Sequence, residues 1–247
     1  MKNLLLICCF LLSQVVIAND LKTVGQEESP AKFNQQDGKR PGICYEIIQA
    51  INTINPQIRF SGQNNNVPLK RIEAMLASGE IDISVCLLKS PDRMEKFNFI
   101  DIPLYSIKHV VMVNADDKIE IKNMEELKKL AQVSPVLAPF GSSLVNFLKS
   151  NGVNYIDNSQ ESANIKKLQI GRARFVYGQD ISLFSSMEAG NFDKKKFKIL
   201  ATSFKDENQY IALSQTVSPA VINELKTAVE KLRVSGKLEE ISLKYKR

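Results

Sequence analysis

Two short segments of this chain carry residue types suited to holding an anion. Gly79-Glu80-Ile81-Asp82-Ile83-Ser84-Val85-Cys86-Leu87-Leu88 reads as a buried strand, and the turn Lys89-Ser90-Pro91-Asp92 after it delivers Arg93. A guanidinium is a planar fork of donors that matches a carboxylate. The Ser90 hydroxyl and local backbone N–H groups add further donors. The competing reading is a surface arginine paired with Asp92 or Glu95. Farther on, Phe140-Gly141-Ser142-Ser143 ends a second strand and opens a helix. Unpaired N–H groups and the helix dipole favour an anion there; ordinary capping by serine is the alternative. One anionic group held by both segments would draw two halves of the molecule together.

Chemistry of other kinds has less to stand on. His109 is the only histidine and sits in the apolar run Ile107 to Val113, where a structural role outweighs a catalytic one. There is no Ser-His-acid set, zinc-ligand spacing or phosphate-binding loop. Cys44 and Cys86 follow the leader described below, and with a single histidine they make a poor metal site. They form either a disulfide, which a secreted chain can keep, or two buried thiols. A bridge would close a loop of about forty residues and stabilise by roughly 4 kcal/mol on the loop-entropy account.

The chain has 247 residues and a net charge of +6 without a clustered source. The run Lys194-Lys195-Lys196 reads as a solvated face, and no basic stripe interleaves with aromatics, which argues against nucleic acid. Residues 1–18 read as a secretion signal: Lys2, a short apolar core from Leu4 to Leu12, and Val16-Ile17-Ala18 before a cleavage point. Cys8 follows Ile7, too bulky for a lipid-attachment box. The remainder suits one large domain or two ordinary lobes.

The elements that must position these residues alternate strand and helix, an α/β pattern with largely parallel sheets. Strands are expected at Leu21 to Gly25, Ile58 to Phe60, Ile81 to Leu88, Ile107 to Val113, Val136 to Ala138, Arg174 to Tyr177, Lys198 to Ala201 and Gln209 to Leu213. Ile43, Ile47, Ile48 and Ile51 recur at helical spacing between Ile43 and Ile54. Further helices are expected at Val67 to Ser78, after Asn123 as cap with Glu126 completing a capping box, at Leu144 to Lys149, and at Ser162 to Ile170. Ser218-Pro219 opens a long helix running to Gly236, and Leu238 to Tyr245 is a short one. The last two helices have no strand partners of their own, so the simplest packing returns them to the first lobe.

In this order, Gly79-Glu80-Ile81-Asp82, Lys89-Ser90-Pro91-Asp92-Arg93, Asp101-Ile102-Pro103-Leu104-Tyr105 and Phe140-Gly141-Ser142-Ser143 resemble the type II periplasmic solute-binding proteins, nearest to the amino-acid-binding family of ABC transport systems. The resemblance covers essentially the whole chain after residue 18. It implies a two-lobed fold of the periplasmic-binding-protein-like II class with two hinge strands and a central cleft. Residues 19–107 and 209–247 would form lobe 1 and residues 108–208 lobe 2. It places Ser90 and Arg93 on a ligand carboxylate, with Ser142 and Ser143 as donors from the second lobe. Glu27 and Glu28 would face the cleft, open to a cation or amine or simply solvated; Tyr105 and Phe140 become candidate aromatic contacts. The family's Gly-Phe-Asp-x-Asp segment stands here as Gly42-Ile43-Cys44-Tyr45-Glu46, and its second-lobe acid as Gln179-Asp180. Asp180 is thus a candidate displaced by one position, which leaves recognition of an α-amine open. The expected protein is a periplasmic monomer without cofactor or metal. It would bind a small carboxylate and hand it to an inner-membrane ABC permease or a membrane sensor; a lyase on the same fold is the remote alternative.

Overall fold

A computed structural model describes residues 19–27, 29–35, 37–140 and 142–246. The proposed leader and Glu28 fall outside them. The chain runs β1 (Asn19–Lys22), β2 (Gly25–Gln26), α1 (Ile43–Ile54), β3 (Ile58–Ser61), β4 (Asn66–Val67), α2 (Leu69–Ser78), β5 (Ile83–Leu88), α3 (Pro91–Lys96) and β6 (Asn98–Asn114). It continues through α4 (Met124–Val133), β7 (Val136–Pro139), α5 (Ser143–Ser150), β8 (Tyr155–Ser159), α6 (Glu161–Gln169), β9 (Val176–Gln179) and α7 (Asp180–Ala189). After a 3-10 turn come β10 (Phe197–Ile199), β11 (Lys205–Leu213), α8 (Pro219–Val234) and α9 (Lys237–Leu243).

Helix starts follow local chemistry. The Ser90 hydroxyl accepts from Arg93 N, Asn123 Oδ1 from Glu126 N, and the Ser218 hydroxyl from Val221 N. The Glu126 carboxylate reaches back to Lys122 N at 2.8 Å, one residue before the position a capping box uses.

Short parallel pairs join β1 to β3 and β2 to β4, and the large sheet has the order β5-β11-β6-β9-β7-β8, with β10 also on β6. The sheets are less parallel than the sequence pattern suggests. β7 runs parallel to β8 and β9, whereas every pairing made by β6 or β11 in the large sheet is antiparallel. These two long strands cross between the lobes in opposite directions, so they oppose each other and the strands they flank.

One core gathers Ile43, Ile47, Ile48 and Ile51 of α1, Leu225, Val229 and Leu232 of α8, and Leu238 and Ile241 of α9. In the other lobe, alternate residues of β6 face opposite ways, as the two-residue strand period requires. Val111 and Val113 join Phe175, Tyr177 and Leu127 on one face; Val110 and Met112 join Ile165, Leu168 and Leu183 on the other. Helix α7 was not legible in the sequence because it has two apolar faces. Ile181 packs into the first-lobe core while Leu183 and Met187 pack into the second. No helix among the described residues is long and apolar enough to cross a membrane.

Candidate functional site: the cleft at the carboxyl end of β5

Ligands of open α/β sheets bind beyond the carboxyl ends of the strands. In the first lobe that position is the end of β5, and it is built by an interruption in the sheet. Tyr210 and Ile211 of β11 pair with Leu87 and Val85, skipping Cys86, whose φ is +69°. On the opposite side of β11, Gln209 pairs with Tyr105 and Ile211 with Ile100, so β6 bulges at the same level. Bulges of this kind re-aim side chains and are common beside binding sites. The left-handed backbone at a cysteine costs energy that the surroundings must offset. Cys86 is held there by a disulfide to Cys44, in the first turn of α1. The pairing that the sequence left open is therefore a disulfide.

The same first turn of α1 anchors the loop before it. Ile43 N donates to Ala31 O at 2.9 Å, and Cys44 N and Tyr45 N donate to Lys32 O at 3.2 and 3.4 Å. These bonds satisfy N–H groups that a helix start otherwise leaves unpaired. Gly42 permits the approach: its φ is +107°, and a Cβ there would lie 2.2 Å from Lys32 O. With its backbone pinned, Lys32 sends its ammonium to Cys86 O at 2.9 Å and to Gln26 Oε1 at 3.0 Å. Burial, reinforced by the charge of Arg93, lowers its pKa to about 7.

Arg93 of α3, 16 % exposed at its side chain, reaches back to the end of β5. Its Nη1 donates to Leu88 O at 2.8 Å, and Nε and Nη2 donate to Glu73 Oε1 at 3.1 and 2.5 Å. Its carboxylate partner is thus Glu73 of α2, not Asp92 or Glu95. Glu73 also accepts from Lys70 at 3.2 Å. Burial works against ionisation of Glu73, but the hydrogen bonds and charges of Arg93 and Lys70 prevail and its pKa falls. Ser90 Oγ accepts from Arg93 N at 3.4 Å, which orients the turn that delivers the arginine.

In the second lobe, the ends of β7, β8 and β9 present Ser142, α6 and Asp180 in turn. Ser142 Oγ donates to Pro139 O at 2.8 Å, closing the β7–α5 turn, and Ser143 is the first residue of α5. Phe140 is 76 % exposed beside them. Asp180 Oδ1 accepts from Ile181 N at 2.9 Å and from Lys108 N at 3.0 Å, so this carboxylate fastens α7 to β6. Tyr105 is only 6 % exposed and belongs to the first-lobe core, with its hydroxyl 3.8 Å from Cys44 Sγ. Burial first, then the nearby Asp180 charge, pushes that hydroxyl's pKa up. Glu28 lies outside the described residues.

His109 is buried in the middle of β6. Its Nδ1 shares a hydrogen bond with Tyr177 OH at 3.2 Å and its Nε2 with Glu207 Oε2 at 2.8 Å. Phe147 and Tyr177 each meet the imidazole edge-on. Burial raises the Glu207 pKa, but the hydrogen bonds from His109 and Lys205 outweigh it and bring it to about 2. Two surface hollows, of about 580 and 390 Å³, lie away from these groups; neither is lined by Arg93, Lys32, Ser142 or Asp180.

Sequence reasoning missed Lys32 and Glu73. Lys32 stands 54 residues from the carbonyl that holds it, and Glu73 stands 20 from Arg93. No local motif signals either contact.

Two lobes bridged by paired strands, with charged side chains gathered at the strand ends, define the class of two-lobed solute-binding proteins. Residues 23–247 match the bacterial extracellular solute-binding proteins, family 3, and the chain belongs to that family. A probable histidine-binding protein of Neisseria gonorrhoeae is 26% identical over 222 residues, which are 89% of this chain and 80% of the relative. An ancestral arginine-binding protein bound to arginine superposes with a TM-score of 0.71 at 19% identity, covering 93% of this chain and 99% of the other. A histidine kinase sensor domain similar to periplasmic binding proteins superposes with a TM-score of 0.74 at 16% identity, covering 93% and 96%. The family is one of solute-binding proteins, and the two solved structures share this chain's fold.

Proposed function

We propose that this chain is a periplasmic solute-binding protein that captures a small carboxylate-bearing ligand, an amino acid or a related compound, for ABC import. In this reading the leader is cleaved after Ala18, the mature protein is a monomer and not an enzyme, and residues 19–107 with 209–247 form one lobe and 108–208 the other. Arg93 holds the ligand carboxylate from the first lobe, with Ser90 shaping its turn. Ser142, Ser143 and the start of α5 meet the ligand from the second lobe, beside Phe140. The observation that carries the reading is Arg93 itself. Three of its five N–H groups are used by Leu88 O and Glu73, which fixes the guanidinium and leaves two donors for a ligand. Closure follows because only the closed form lets both lobes touch the ligand, so the ligand shifts the open–closed equilibrium by its extra affinity for that form. The likeness to a sensor domain supports a second reading, in which the same closure is presented to a membrane receptor.

The test is thermal unfolding of the purified protein against amino acids, short peptides and organic acids. Ligand at a thousandfold excess over its Kd adds about 4 kcal/mol, or roughly 8 to 16 °C for a chain of this size. Arg93→Ala is expected to abolish the shift while keeping the circular dichroism of the native fold. An unchanged shift in that variant would remove Arg93 from the site.

A further inference from the structure

The end of β5 carries more positive charge than one ligand carboxylate requires. Arg93 and Lys70 share the single carboxylate of Glu73. Lys32 has no carboxylate partner among the described residues; its protein acceptors are the neutral Cys86 carbonyl and the neutral Gln26 amide. An ammonium has three N–H donors, so one remains for a ligand. A half-buried cation held only by neutral acceptors is costly, and an anion delivered to it recovers part of that cost. The position is not accidental side-chain wandering. The backbone of Lys32 caps α1, Gly42 allows the close approach, and the disulfide ties α1 to the very residue whose carbonyl receives the ammonium.

The two cations are anchored on different carbonyls. Lys32 is anchored on Cys86 O and Arg93 on Leu88 O, two residues apart along one strand. Each cation is thus fixed by its own carbonyl and keeps its own donors, so each can receive its own anionic group. Resting on the binding role proposed above, we infer that Lys32 and Arg93 form a paired-cation site for a ligand with two anionic groups, an acidic amino acid or a dicarboxylate. Arg93 takes one carboxylate and Lys32 the other. A basic side chain would instead meet Lys32 with no carboxylate among the described residues to receive it, so this pocket discriminates against the ligands of its histidine- and arginine-binding relatives.

Calorimetric titration of the purified protein with L-glutamate, L-aspartate, succinate, L-glutamine, L-histidine and L-arginine tests this. The acids are expected to bind at least about tenfold more tightly than glutamine, in line with one charged hydrogen bond, and more tightly than histidine or arginine. Lys32→Gln should weaken glutamate by about tenfold or more and leave glutamine within about twofold, erasing the preference. Lys32→Met, which also removes the charge but keeps the apolar stem, should behave alike. Tighter binding of histidine or arginine than of the acids, lost in Arg93→Ala, would overturn the inference and leave the binding role standing. So would an equal loss for glutamate and glutamine in Lys32→Gln, which would mean that both cations hold one carboxylate. No binding of any of the six, with a thermal shift still produced by another organic acid or a short peptide, would overturn the inference and leave the binding role standing.

Discussion

The wall at the end of β5 and the hinge network around His109 both bury charged groups, and they balance them in opposite ways. In the hinge every partner is matched: both imidazole nitrogens are engaged, and the two Glu207 oxygens meet His109 and Lys205. At β5, two cations share one carboxylate, and a third has only neutral acceptors among the described residues. A polar cluster that satisfies itself specifies the local packing. One that keeps donors in reserve is suited to receive a ligand. This contrast assigns His109 a structural place, joining β6, β9 and β11 where the lobes meet.

The largest break in this contrast comes from the disulfide. Replacing Cys44 and Cys86 together by alanine should cost about 2–5 kcal/mol, read as a fall in Tm of about 4 to 20 °C. It should also weaken ligand binding, because Cys86 O no longer has a fixed place for Lys32. A variant that melts with the wild type would show that the bulge is held by the sheet alone. Next in size is Gly42→Ala. The positive φ and the 2.2 Å approach to Lys32 O force the capping loop away from α1, at about 1–3 kcal/mol. Urea midpoints measure the cost, and affinity should fall with it while the hinge network is untouched.

The smallest effect sharpens the other side. Glu207 has a folded pKa of about 2, below its ordinary value of 4.5. A depressed carboxylate stabilises the fold above its unfolded pKa, and that contribution is lost as pH falls from about 4.5 toward 2. Discounted for partial solvent screening, it amounts to about 1–2 kcal/mol. Urea unfolding at pH 6 and pH 3 should therefore show a steeper loss of stability in the wild type than in Glu207→Gln. Equal slopes would mean that other carboxylates carry the acid sensitivity.

Local signals were legible wherever one segment sufficed. The isoleucine spacing marked α1 at its observed bounds, Ile43–Ile54, and Ser218-Pro219 marked the start of α8. The turn carrying Arg93 was visible as a strand followed by Ser-Pro-Asp-Arg, although it closes as the short helix α3. β8 was not visible, since Tyr-Ile-Asp-Asn-Ser lacks a strand's apolar alternation. α7 hid behind its two apolar faces. In the second lobe, the sequence named Asp180 but not its backbone partners, one of which, Lys108 N, lies 72 residues away.

By itself the sequence determined the α/β alternation, the helix caps, and an arginine and serines at the ends of strands, because periodicity and capping depend on residues within one or two turns. The tertiary structure alone decided that Cys44 and Cys86 are bonded, that Arg93 is held by Glu73, and that Lys32 stands beside it with no carboxylate partner among the described residues. Those facts depend on segments 20 to 54 residues apart being brought within hydrogen-bonding distance. Whether a charge is matched or left in reserve is a property of that assembled neighbourhood, not of any one stretch of chain.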